Sequence, residues 1–162
     1  AKTFSADRYD IWTMQSAWHN LPTFGGVMQH DGEAFAAHDV AVTLDEARAE
    51  LSMEIAGAYP AEAGVRSYRR RVVLAKGRGV EIEDRCEGDR DAELTLMLAI
   101  APELEDRLIV LPGVAKIALE GVGPPRVEVI AIDDPRLRQA WPDRLYRVLL
   151  PIAGPRVRLE VT

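Results

Sequence analysis

The strongest constraint on this chain is an alternation of apolar and polar residues with a period of two, recurring from about residue 40 to the C-terminus. Successive side chains of a strand point to opposite faces, whereas a helix repeats about every 3.6 residues, so the pattern selects strands with one buried and one wet face. Across residues 48–55, Leu51, Met53 and Ile55 are expected to face a core while Glu50, Ser52 and Glu54 face away. The same rhythm appears in Val80-Glu81-Ile82-Glu83, Leu94-Thr95-Leu96-Met97-Leu98, Val127-Glu128-Val129 and Val157-Arg158-Leu159-Glu160-Val161. Turn formers separate the runs, among them Gly25-Gly26, Lys76-Gly77-Arg78-Gly79, Gly123-Pro124-Pro125, Asp133-Asp134-Pro135 and Ala153-Gly154-Pro155. Only Asp45 to Ala49 leans towards a helix. About a dozen short strands at this spacing predict an all-β fold, an antiparallel β-sandwich of two packed sheets. No repeat, low-complexity tract or shift of composition divides the sequence, so residues 1–162 are expected to form a single β-sandwich domain.

A chain of 162 residues can bury roughly 70% of its unfolded surface, enough for a core without covalent staples. The lone Cys86 excludes an internal disulfide framework and leaves the redox compartment open. A net charge of -6 argues against a nucleic-acid-binding or polyanion-binding surface spread over the whole domain, although a local basic groove is compatible with it. No stretch approaches the ~20 apolar residues that span a bilayer, and the start of the sequence lacks the tripartite pattern of a signal peptide. Beginning at Ala1 without a methionine, the chain is expected to be a piece of something longer.

The densest polar and aromatic cluster runs from Gln15 to His30. Ser16 lies in no nucleophile elbow, so serine hydrolysis is set aside. His19, His30 and His38, two of them followed by Asp31 and Asp39, raise a metal hypothesis, but their separations match no two-histidine helical turn, and exposed loop positions are expected for His30 and His38. Glu81 and Glu83 fall on a solvent face and Asp133-Asp134 in a turn, which argues against a paired-carboxylate glycosidase. Trp12, Trp18, Tyr59, Tyr68 and Trp141 could stack on sugar rings; Trp12, at strand spacing from Met14, is expected in the core, and Trp18 beside His19 is the favoured ligand contact. In Arg69-Arg70-Arg71, Arg70 shares a face with Val72, so at least one guanidinium sits among apolar neighbours, either with its stem covering the core and its head in water or as an anion clamp.

Gln15-Ser16-Ala17-Trp18-His19-Asn20, Gly26-Val27-Met28-Gln29, Ala56-Gly57-Ala58-Tyr59-Pro60, and Tyr68-Arg69-Arg70-Arg71-Val72 running into Gly79-Val80-Glu81-Ile82-Glu83-Asp84 together resemble the C-terminal β-sheet region of heparinase II/III-like polysaccharide lyases over residues 9 to about 85. The resemblance implies a larger parent that joins an N-terminal helical toroid domain to a layered β-sandwich and cleaves uronic-acid polysaccharide by β-elimination. That chemistry needs a base for the proton α to the uronate carboxylate, a group to neutralise that carboxylate and an acid for the leaving oxygen. In the family these come mainly from toroid segments and a Gly-His-x-His-x-x-Asp stretch that this sequence lacks, so no catalytic residue is assigned and Tyr59 and Tyr68 are not promoted to bases. The family's His-Asn pair carries over onto His19 and Asn20, which implies His19 as one zinc ligand in the parent protein, with the other ligands upstream and zinc not tightly held by this chain alone. Trp18, Asn20 and Gln29 are the implied substrate contacts. Leu21-Pro22 departs from the family pattern, and the proline is expected to end the local strand early. The functional expectation is a non-catalytic β-sandwich of such a lyase, the parent being periplasmic or secreted; the alternative is a carbohydrate-binding or interaction sandwich that shares the fold.

Overall fold

The computed structural model describes residues 4–89 and 91–162, so the expected cut edge at Ala1 lies outside the described residues. Strands occupy the alternating runs: β1 (Pro22–Phe24), β2 (His38–Leu44), β3 (Arg48–Glu54), β4 (Val65–Ala75), β5 (Gly79–Gly88), β6 (Ala92–Leu98), β7 (Glu103–Glu105), β8 (Leu108–Leu111), β9 (Ala115–Glu120), β10 (Arg126–Ala131), β11 (Arg144–Pro151) and β12 (Arg156–Val161). They form two antiparallel sheets, one of four strands in the order β1-β6-β11-β10 and one of eight in the order β2-β3-β4-β5-β12-β9-β8-β7. This is the sandwich that the period-two pattern predicts. Helical structure among the described residues is confined to short 3-10 turns. The 45–49 stretch is a hairpin turn, because the Asp45 carboxylate accepts from the backbone N–H groups of Ala47 and Arg48 at 2.8 Å each and closes the link between β2 and β3.

Two apolar clusters fill the space between the sheets. Leu94, Leu96, Val148 and Leu150 of the small sheet meet Ile109, Ile117, Leu119, Val157 and Leu159 of the large one. At the β1 end Phe24, Ile55, Tyr59, Ala63 and Tyr68 form a second cluster, in which the Phe24 ring meets Tyr59 and Tyr68 edge-on at 4.9 and 5.7 Å. Side chains directly opposite across antiparallel strands share a face. One such row crosses the large sheet as Val42, Leu51, Val72, Ile82, Leu159 and Leu119. Leu159 is 1% exposed and Val42 is 71% exposed, so four strands cover only part of an eight-stranded face. The inner face of the β2 edge, including Leu44, stays open.

Charge occupies both faces of the large sheet. On the outer face Arg71 grips the Glu50 carboxylate through Nε at 2.7 Å and a terminal nitrogen at 2.9 Å, and Arg158 holds Glu81 at 2.6–2.8 Å. Val73, flanked by Glu50 and Glu81 in the register, is buried on this outer face although no second sheet covers it. Glu54 departs from the expected wet face. It is 7% exposed and accepts from Ser67 Oγ at 2.6 Å and from the amides of Tyr68 and Ala56 at 2.7 and 2.9 Å, because β3 ends there and the chain turns inward at Ile55. These donors supply the bonds that a buried carboxylate would otherwise take from water.

Candidate functional site

The His-Asn segment is fixed from both sheets. Arg70, 9% exposed, donates through Nε and a terminal nitrogen to the two oxygens of Asp84, each at 2.7 Å. Its other terminal nitrogen donates to the Asn20 carbonyl at 2.7 Å. Asp84, 1% exposed, also accepts from the Tyr68 hydroxyl at 2.7 Å. Of the two readings open for this arginine, neither describes its role: its head is buried and its anion is the protein's own carboxylate. The Asn20 side-chain oxygen accepts from the Met97 amide at 2.8 Å, and the Leu21 carbonyl accepts from the Thr95 amide at 3.1 Å. The strand at Pro22 does not end early but begins there. As the edge of its sheet, β1 pairs only with β6, so the missing proline N–H costs no ladder bond, and the Pro22 carbonyl accepts from the Tyr59 hydroxyl at 2.7 Å. Gly25 and Gly26, both at positive φ (56° and 81°), close the two-residue turn that returns the chain to Val27, as a type I′ hairpin requires.

Upstream, 3-10 turns at Ala6–Asp10, Trp12–Met14 and Ser16–Trp18 lead into this segment. Trp12 lies in such a turn and is half-buried, not in a core strand as its spacing from Met14 suggests; its ring meets Trp18 edge-on at 5.1 Å. The Arg147 guanidinium sits 4.6 Å from the Trp18 ring centroid, so the favoured stacking residue already carries a cation on its π system. Trp12 and Trp18 line a groove of about 270 Å3 together with His19, Asn20, Met97, Leu145 and the turn residues Leu137 and Trp141. All three tryptophans of the sequence meet here. Trp141 is 48% exposed.

His19 is exposed, with Nε2 3.2 Å from the Thr13 carbonyl, and it borders both the groove and a second cleft lined by Ser16, Gln29 and His30. The structure thus separates the sequence-derived contacts: Trp18 and Asn20 line the groove, and Gln29 lies in the neighbouring cleft. The Gln29 amide N–H donates to Ser16 Oγ at 2.9 Å. His30 and His38 are both exposed, beside Asp31 and Asp39; His30 lies in a loop as expected, whereas His38 opens strand β2 opposite Glu54. Among the described residues no three His, Cys, Asp or Glu side chains converge on a point where a metal could sit. His19 has the Thr13 carbonyl rather than other ligands at its side, so the residues present do not by themselves compose a zinc donor set.

Neither tyrosine is placed to take a proton from a bound sugar. Burial pushes the Tyr59 phenol well above its ordinary range despite the nearby Arg70 cation. Burial likewise raises Tyr68, reinforced by the Asp84 carboxylate. The buried Tyr68-Arg70-Asp84 network and the convergence of Trp141 with the N-terminal turns were not anticipated from the sequence. Asp84 in phase with Val80 and Ile82, like Arg70 in phase with Val72, is a signal that could have located the network.

No family model matches the chain, and no curated protein matches it in sequence. Solved structures do match its fold. A heparinase III gene product superposes with a TM-score of 0.66 at 14% identity, over 93% of this chain and 24% of its own. A second heparinase III structure gives 0.61 at 14% identity over 97% and 25%. The heparan sulfate lyase HepC from Pedobacter heparinus gives 0.62 at 12% identity over 93% and 24%. The chain spans about a quarter of the length of these structures, and at such identities the likeness is one of fold.

Proposed function

We propose that this chain is the C-terminal β-sandwich region of a heparinase II/III-like polysaccharide lyase, folds as one domain, and by itself carries no lyase activity. The observation that supports this reading is the lopsided coverage: nearly all of this sandwich superposes on about a quarter of each heparinase chain. The site chemistry agrees with it. β-Elimination needs a base, an acid and a group that neutralises the uronate carboxylate. Here the tyrosines are buried and tied, Arg70 is spent on Asp84, and His19 faces the Thr13 carbonyl with no acidic partner among the described residues. In the longer polypeptide the sandwich would complete a cleft facing a helical toroid and a uronic-acid glycan. Heparan sulfate oligosaccharides incubated with this chain should give no ultraviolet-absorbing unsaturated product, whereas the polypeptide extended upstream should give it. Turnover by this chain alone would overturn the proposal.

His19 is the single imidazole that the resemblance marks as a zinc ligand, and we propose that its companion ligands lie upstream of residue 1. Elemental analysis should then find well under one zinc per chain in the isolated sandwich. Stoichiometric zinc that is lost in His19→Ala would mean that the ligands are local.

A further inference from the structure

The groove beneath Trp141 has features that the fold alone does not require. A structural tryptophan ordinarily buries its indole in a core, where it adds most to stability. This sandwich builds its two clusters from aliphatic residues, Phe24, Tyr59 and Tyr68, and assembles all of its tryptophan outside them. Trp12 and Trp18 come from the N-terminal turns, whereas Trp141 comes from the turn after β10, so two distant stretches converge on one groove. An indole left half exposed beside two others suits a ligand that is apolar on one face and polar at its edge.

We propose that this groove binds a pyranose ring of a glycan, with Trp141 as the stacking surface and Asn20 as the polar contact. A pyranose presents C–H groups on its face and hydroxyls around its rim, each hydroxyl able both to donate and to accept. Asn20 spends its side-chain oxygen on the Met97 amide, which leaves the N–H2 end to donate. The groove therefore offers an amide donor beside an aromatic wall. No lining residue is a carboxylate, so an acidic sugar meets no like charge within the groove itself. A volume of about 270 Å3 lies just below the ~300–1,000 Å3 typical of ligand sites, which fits one or two rings better than a long chain segment. The net charge of -6 opposes any polyanion, so it disfavours a nucleic acid and ranks a neutral sugar above a sulfated one. The choice of a glycan over another ring compound rests on the lyase reading above, while the groove itself does not.

The tryptophan content makes the test direct. Because every tryptophan lines the groove, intrinsic emission reports on this site without background from elsewhere. Titration with heparan sulfate tetrasaccharide, and in parallel with a neutral cello-oligosaccharide, should give a saturable change in emission with at least one of them. Binding of the acidic sugar alone would assign a role to its anionic groups, and binding of both would assign the recognition to stacking. Trp141→Ala should weaken binding by about ten-fold or more in a chain that still unfolds cooperatively in urea. Val129→Ser, an exposed position on β10 that does not line the groove, should leave affinity as it is. Calorimetry on the Trp141 variant provides a readout independent of its fluorescence. No saturable response with either sugar, or equal affinity in wild type and Trp141→Ala, would overturn the proposal. Failure here would leave the absence of turnover by the isolated chain untouched, and turnover by that chain would leave a groove-binding result untouched.

Discussion

Replacing Asp84 with leucine tests how far the sandwich depends on its buried charge. Asp84 accepts three hydrogen bonds of 2.7 Å, two from the Arg70 guanidinium and one from the Tyr68 hydroxyl. The substitution keeps much of the volume but leaves a guanidinium nine-tenths buried without its anion. Stranding one half of a buried ion pair costs about 3–5 kcal/mol. The orphaned Tyr68 hydroxyl adds about 1–3 kcal/mol. The expected loss of ~4–8 kcal/mol approaches the ~5–15 kcal/mol stability of an ordinary domain, so Asp84→Leu should be barely folded at room temperature. Removing both ions is expected to cost far less than the two single losses together, since a buried pair replaced by apolar groups is often neutral. In Arg70→Met/Asp84→Leu the Tyr68 hydroxyl and the Asn20 carbonyl still lack partners, and adding Tyr68→Phe should recover the share due to the hydroxyl. Urea unfolding followed by far-ultraviolet circular dichroism gives the free energies, and the double-mutant cycle gives the coupling. Additive energies, or a loss under about 1 kcal/mol for Asp84→Leu, would refute the reasoning.

Two further outcomes follow from named contacts. Burial raises the tendency of Glu54 to hold a proton, but the Ser67 hydroxyl and the amides of Ala56 and Tyr68 outweigh it, and the carboxyl lies below its usual value of 4.5. A depressed folded value means that the ionised group adds stability above about pH 4.5, which is lost as pH falls through the folded value. Glu54→Gln should therefore be less stable than wild type by about 1–3 kcal/mol near neutrality, and the gap should narrow in acid, as read from urea midpoints across pH; a constant gap would contradict this. Val42→Ser/Leu44→Ser alters side chains about 70% exposed on an edge strand, so the fold should keep its stability while self-association measured by light scattering declines. Unchanged association would place the sticky surface elsewhere.

Much of the fold was legible because a strand declares its buried face in every second residue. Leu94, Leu96, Val157 and Leu159 are inward in the sequence pattern and lie in the core. Glu54 misled because the alternation continues to the end of β3 while the backbone turns inward there, and its compensating donors come from residues 56, 67 and 68. Arg70 and Asp84 were each visible as charged residues in the inward phase of their strands. Their pairing became evident only once β4 and β5 set them opposite one another in the register. The groove was less legible still. Its walls come from segments more than a hundred residues apart, and no local pattern in Trp12 or Trp141 announces that they meet. His19 and Asn20 were marked by a family likeness, and the structure gives Asn20 a structural task that the likeness does not describe.

Arg70 reaches past its carboxylate to hold the backbone of Asn20, so the interior of the large sheet is mechanically joined to one wall of the groove. The Met97 amide grips the same residue from the small sheet. The imidazole next door is therefore mounted on a bracket bolted to both halves of the molecule. That bracket should not loosen until the two sheets part, and whatever occupies the groove will favour the closed sandwich by its own binding energy.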